Sequence, residues 1–130
     1  MRRSILSING NKPFNYILKT VLSDKYNVFL AADPVSGLRM IKEQLSLSLI
    51  LIDTDLFEQD AIDFILHVKS SLIHDKPIIV LTSSDLNLLL SKLSRIKLDE
   101  IFIKPFNPVL LLQHIDKMLM PVSLSFPIRP

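Results

Sequence analysis

The sequence predicts a doubly wound α/β domain, with a five-stranded parallel sheet and helices on both faces. Three observations carry this expectation. The first is a pair of unbroken aliphatic runs, Leu49-Ile50-Leu51-Ile52 and Ile78-Ile79-Val80-Leu81. They show neither the alternation of a half-exposed strand nor the spacing of a helix face, which suits strands buried on both sides. The second is a strand-then-helix alternation repeated five times. The third is the cap-plus-proline pair, Asp33-Pro34 and again Asn107-Pro108, marking helix starts after short connections. Right-handed crossovers between parallel strands place helices on both faces, and the expected strand order is 2-1-3-4-5.

Ser4 to Ile8 reads as the first strand, closed by the turn formers Asn9-Gly10-Asn11. Phe14, Ile17, Leu18, Val21 and Leu22 then recur at the spacing of one helix face, with Pro13 at the entry, where its missing N–H costs nothing. Asn27 to Ala31 is the second strand. Asp33 caps a second helix with Val35, Leu38, Ile41 and Leu45 as its buried stripe. The third strand, Leu49 to Ile52, ends abruptly in Asp53-Thr54-Asp55. Asp60 is expected to cap a third helix whose inner face is Ala61, Ile62, Ile65 and Leu66.

Lys76-Pro77 leads into the fourth strand, Ile78 to Leu81, and Thr82-Ser83-Ser84-Asp85 is a capping cluster for a fourth helix with Leu86, Leu89, Leu90 and Leu93 on one side. Glu100 to Ile103 is the fifth strand, ended by Lys104-Pro105. Leu111, Leu112, Ile115, Met118 and Leu119 line the last helix. Residues 1–120 thus form one domain. The segment 121–130 differs in kind: Val122, Leu124, Phe126 and Ile128 alternate with Ser123, Ser125, Pro127 and Arg129. Large apolar residues at that period need a surface, so this tail is expected to be ordered by contact with its own domain or a second copy.

Composition narrows the function classes. A chain of 130 residues that is 48% hydrophobic holds one ordinary core and is not disordered. Its formal charge is +2, from 15 basic and 13 acidic residues, and no basic run exceeds Arg2-Arg3. A nucleic-acid footprint needs a clustered stripe, so such a partner is not expected. There is no Cys, which excludes disulfides and thiol chemistry and suits a reducing compartment. No segment approaches the roughly 20 apolar residues of a membrane span, and the first residues lack a signal-peptide core. A soluble, cytoplasmic protein is expected.

In a sheet of this order the carboxyl ends of strands one, three, four and five face one crevice, the usual ligand position of open α/β sheets. Asn9-Gly10-Asn11, Asp53, Thr82 and Lys104 are therefore expected to converge. An acid, a hydroxyl and an ammonium around one pocket form a phosphate-handling set: a carboxylate able to accept a phosphoryl group, and two donors for its oxygens. Two plainer readings stand beside this one, Asp53 as a strand-end acid paired with Lys104 and Thr82 as a helix cap. Asp55 is read as a solvated loop acid rather than a substitute metal carboxylate. His67, His74 and His114 show no ligand spacing and are read as surface residues. Leu88, off the stripe of the fourth helix, hints at an exposed contact.

These motifs resemble the receiver domains of two-component response regulators, the CheY-like superfamily, over roughly the first 120 residues. The carriers are LILID ending in Asp53, IIVLTS with Thr82 and Ser83, and FIKPF with Lys104. The resemblance implies a (βα)5 flavodoxin-like fold, Asp53 as phosphoacceptor, and Thr82 and Lys104 as the switch hydroxyl and phosphate-binding ammonium. The sequence also departs from the family. The acidic pair that holds Mg²⁺ is replaced by Asn9 and Gly10, which removes most of the carboxylate a hard cation requires. Ile101 stands where an aromatic usually couples to the hydroxyl, with Phe102 one step out of register. Phe57 and Ala61 replace the usual proline and glycine, and Lys97 a common glycine.

Together these predict a stand-alone, single-domain receiver in two-component phosphorelay signalling, atypical through loss of the acidic pair. It would signal by protein–protein contact, without being an enzyme, with Asp53 as candidate phosphoacceptor. No cofactor is expected beyond weak Mg²⁺ binding at Asp53. The implied partners are a sensor histidine kinase or another signalling protein, and a second copy through the fourth helix, fifth strand and fifth helix. The alternative is a small flavodoxin-like enzyme or nucleotide-binding domain. It is weakened because phosphate cradles need glycines and the chain has only Gly10 and Gly37, neither in a Gly-rich loop.

Overall fold

Among the described residues of the computed structural model, five strands alternate with five helices: β1 (Ser4–Ile8), α1 (Lys12–Leu22), β2 (Asn27–Ala31), α2 (Pro34–Lys42), β3 (Leu49–Asp53), α3 (Glu58–Ser70), β4 (Ile78–Thr82), α4 (Leu86–Lys92), β5 (Glu100–Ile103) and α5 (Pro108–Leu119). The structure describes residues 2–43, 46–70, 76–83, 86–93 and 100–119. Leu45, His74, Ser84, Asp85, Lys97 and the tail from Pro121 to Pro130 lie outside them. The strands form one sheet of order β2-β1-β3-β4-β5, every neighbouring pair parallel.

The period of two along each strand divides the core into two layers. Leu6, Ile8, Ile50, Ile52, Ile78 and Val80 pack with Ile41, Ile62, Ile65, Leu89 and Leu93 of α2, α3 and the α4 region. Ile5, Leu49, Leu51, Ile79 and Leu81 point the other way, against Leu18 and Leu22 of α1 and Leu111 and Ile115 of α5. All five residues of β3 and all five of β4 are buried, which is why both read as continuous aliphatic runs.

The helix faces differ from the sequence expectation in four places. In α1, Leu18 and Leu22 are buried but Ile17 is exposed; Asn15 takes its place inward, because its amide bonds to the Ser7 hydroxyl and to the carbonyls of Ser7 and Ala31. In α2, Val35 is exposed, and Pro34, Gly37 and Ile41 form the inner face. In α3, Asp60 is not the cap: the helix begins at Glu58, and both acids lie in the first turn, where the helix dipole favours them. In α4, Leu89 is buried but Leu90 is exposed, as is Leu88.

Gly37 explains the α2 rotation. A Cβ at this position would lie 2.4 Å from Ile8 Cδ1 and 2.8 Å from Ile8 Cγ1, so the helix backbone itself rests on the sheet. Ile8 is wholly buried and has little room to yield. Gly37→Ala should therefore destabilise the fold by about 1 to 3 kcal/mol, although alanine is the better helix former. Urea unfolding checks this, and a stabilised variant would contradict the close approach.

Across the opposite layer, Asp116 of α5 accepts hydrogen bonds from Lys25 Nζ at 2.8 Å and Tyr26 Oη at 2.5 Å, joining α5 to the entry of β2. Burial works against the Asp116 charge, but the Lys25 and Tyr26 bonds outweigh it and hold the carboxyl below its usual range. Burial and the Asp116 carboxylate push the Tyr26 hydroxyl up. A depressed carboxyl stabilises the fold above its unfolded value and loses that contribution as pH falls through the folded value. Asp116→Asn should flatten the loss of thermal stability between neutral pH and about pH 3. An unchanged pH profile would contradict the clamp.

Candidate functional site

The chain of β3 emerges from the sheet at Asp53, a residue only 6% exposed whose buried polar oxygens need partners. Three donors reach it. The Asp55 N–H donates to Oδ1 at 2.8 Å, Asn9 Nδ2 donates to Oδ2 at 3.2 Å, and Lys104 Nζ pairs with the same Oδ2. Asn9 is in place because it follows β1, the neighbour of β3, and its Oδ1 is fixed by the Asn11 N–H at 2.8 Å. Lys104 is in place because it follows β5, and its own N–H donates to the Thr82 carbonyl at 2.8 Å.

Lys104 serves two carboxylates. Its Nζ also lies 2.8 Å from Asp55 Oδ2, and the ring of Phe14 stands 5.1 Å away, within cation–π range. Burial tends to lower the ammonium pKa, but the Asp53 and Asp55 carboxylates overcome this and raise it. Asp55 is correspondingly held below the usual carboxylate range: burial would raise it, and Lys104 with the Ser83 N–H and hydroxyl lower it further than that. Asp55 is thus an exposed loop acid, as expected, but one held in place by bonds to Lys104 and Ser83. It bridges the loop after β3 to the end of β4 through Ser83. The sequence reading missed this because nothing in Asp53-Thr54-Asp55 tells which acid turns back toward the crevice.

Thr82 ends β4 and is wholly buried, and its hydroxyl oxygen accepts from Thr54 Oγ1 at 2.7 Å. Thr54, also wholly buried, is a site neighbour the sequence did not single out. Phe102 cannot stand in for the displaced aromatic. Strand alternation sends Ile101 to the α3 side and Phe102 to the α5 side, where its ring meets Phe106 and His114 edge-on at 5.6 and 5.4 Å. His114 also lies 3.3 Å from Glu100, and His67 is exposed.

Mg²⁺ does not fit this donor set. No group of three His, Cys, Asp or Glu side chains able to hold a metal occurs among the described residues. Asn9 Oδ1 is already used by Asn11, and the ammonium of Lys104 sits between the two available carboxylates. The Gly10 position is crowded but open to adjustment: a Cβ there would fall 2.7 Å from Leu56 Cδ1 and 2.8 Å from Phe57 Cε2, the ends of two exposed side chains. A cation that holds its own water tightly gains little from such a pocket. Replacing Asn9 and Gly10 together by aspartate is therefore expected to raise Mg²⁺ affinity only modestly, because the Lys104 ammonium still holds Asp53 and Asp55. Isothermal titration of the double variant checks this.

No protein-family model matches the chain, and no curated protein sequence does. Solved structures do match. The chain is similar to the chemotaxis protein CheY4 of Vibrio cholerae, with a TM-score of 0.81 at 21% identity over 92% of this chain and 100% of that one. The chain has the receiver fold. It is likewise similar to a two-component response regulator from Clostridium difficile, at TM-score 0.80 and 22% identity over 91% and 96% of the two chains. A third match to the receiver fold is the receiver domain of sensor histidine kinase PA1611 from Pseudomonas aeruginosa, at TM-score 0.78 and 22% identity over 91% and 98%. That protein coordinates a magnesium ion in its active-site cleft.

Proposed function

We propose that this chain is an atypical receiver module of two-component signalling that works through protein–protein contact, with Asp53 as a phosphoacceptor of low intrinsic reactivity. The carrying observation is the buried Asp53 carboxylate at the end of β3 in direct contact with Lys104, inside a receiver fold. In the transfer step an Asp53 oxygen attacks the phosphorus of an N-phosphorylated donor, an O–P bond forms as the P–N bond breaks, and the protonated donor nitrogen leaves neutral, as the imidazole of a phosphohistidine or as ammonia from phosphoramidate. Lys104 supplies charge for the phosphoryl oxygens. The missing acidic pair, set against the magnesium-holding cleft of the Pseudomonas relative, is what makes the module atypical and its acceptor slow.

A contact role is supported by exposed apolar side chains on the last three elements, Leu88 and Leu90 on α4, Ile103 on β5, and Val109 and Leu110 on α5, although Tyr16, Ile17, Val35, Leu56 and Phe57 are exposed elsewhere. This is the face the family resemblance implies for a histidine kinase, another signalling protein or a second copy. No helix among the described residues is long and apolar enough to cross a membrane. The reading as a small enzyme or nucleotide binder has no matching feature at either glycine. Gly10 is covered by Leu56 and Phe57, Gly37 rests on Ile8, and neither has a positive φ.

Incubation with phosphoramidate, read by intact mass, tests the acceptor. The wild type should gain one phosphoryl group slowly, and Asp53→Asn none. A gain of equal size in Asp53→Asn would place the chemistry elsewhere.

A further inference from the structure

We infer that Asp55 is a positioning residue that keeps Lys104 and Ser83 from an incoming oxyanion, so that the chain carries its own competitor for phosphate. This deepens the reading of Asp53 as phosphoacceptor and rests on it. The Asp55 carboxylate makes three contacts: Oδ1 accepts from the Ser83 N–H at 3.0 Å, and Oδ2 accepts from the Ser83 hydroxyl and from Lys104 Nζ, each at 2.8 Å. Ammonium and backbone N–H groups are the donors that ordinarily hold phosphoryl oxygens. Lys104 touches Asp53 Oδ2, and Ser83 follows the last residue of β4, the strand that pairs with β3.

The clasp is anchored at both ends. The Asp55 N–H donates to Asp53 Oδ1 at 2.8 Å, which fixes the loop carrying the competing carboxylate. The Phe14 ring, 5.1 Å from Nζ, closes another side of the ammonium. Both carboxylates contact the same nitrogen, so a phosphoryl group on Asp53 would meet the Asp55 charge at close quarters. To bind, an oxyanion must take the donors from Asp55 and overcome its like charge. Asp55 is at the protein surface, so its charge is removable without disturbing the core.

The test uses the full chain, Asp55→Asn and Asp55→Glu, each titrated with inorganic phosphate and followed by the amide shifts of Ser83 and Lys104. Asp55→Asn should bind phosphate about tenfold more tightly than wild type, the effect of losing one close like charge in a partly screened site. Asp55→Glu, which keeps the charge, should stay near wild type. Equal affinity in wild type and Asp55→Asn overturns the inference. Phosphoramidate labelling read by intact mass separates the two claims. Faster labelling of Asp53 in Asp55→Asn supports both. Tighter phosphate binding with no phosphoryl gain in either protein leaves the clasp standing and removes the phosphoacceptor reading.

Discussion

Lys104→Met is expected to lower stability by about 2 to 4 kcal/mol, because it strips the cation from a carboxylate that the fold has already buried. The two side chains are 21% and 3% exposed, so Asp53 has little water to fall back on, while the partial exposure of Lys104 keeps the loss below that of a wholly interior pair. Asn9 Nδ2 and the Asp55 N–H would remain, and neither carries a formal charge. Urea unfolding at neutral pH is the check. A loss below about 0.5 kcal/mol, the range of ordinary surface substitutions, would show that Lys104 does not balance the site charge.

Leu51→Ala should have a larger effect, about 3 to 5 kcal/mol, a substantial share of the 5 to 15 kcal/mol that hold a domain together. Leu51 is fully buried in the middle of β3, paired with Ser7 on β1 and Ile79 on β4, and belongs to the layer against α1 and α5. A cavity at that point has rigid strands on both sides and little freedom to collapse. Thermal unfolding monitored by circular dichroism reads the effect. Leu88→Ala on exposed α4 serves as the contrast and should change stability by less than about 0.5 kcal/mol.

The central strands β3 and β4 were legible because burial on two faces leaves an unmistakable aliphatic run, and Leu49 to Asp53 and Ile78 to Thr82 are buried in the fold. Helix faces were less legible, for reasons particular to the neighbours. Gly37 lets α2 approach Ile8, which turns Val35 outward, and Asn15 is drawn inward by Ser7, which leaves Ile17 at the surface. Spacing alone does not encode a close backbone approach or a buried amide pair. The grouping of Asp53, Asn9 and Lys104 followed from strand order, since each lies just at or beyond the carboxyl end of its strand. The part played by Asp55 did not follow, because a loop side chain two residues past a strand points wherever its hydrogen bonds take it. Here those bonds run to Ser83 and Lys104. Thr54 escaped for a related reason: its partner Thr82 is 28 residues away on the next strand.

In this receiver-fold site Lys104 offsets part of the charge of Asp53 and Asp55 and so competes with a divalent cation for them. An Mg²⁺ titration of the wild type and of Lys104→Met, followed by the amide shifts of Asn9, Asp53 and Asp55, tests that claim most directly. The wild type should show no saturation below the millimolar range, and Lys104→Met, with two carboxylates released, should bind Mg²⁺ about tenfold or more tightly. Submillimolar affinity in the wild type, with no gain in Lys104→Met, would contradict it.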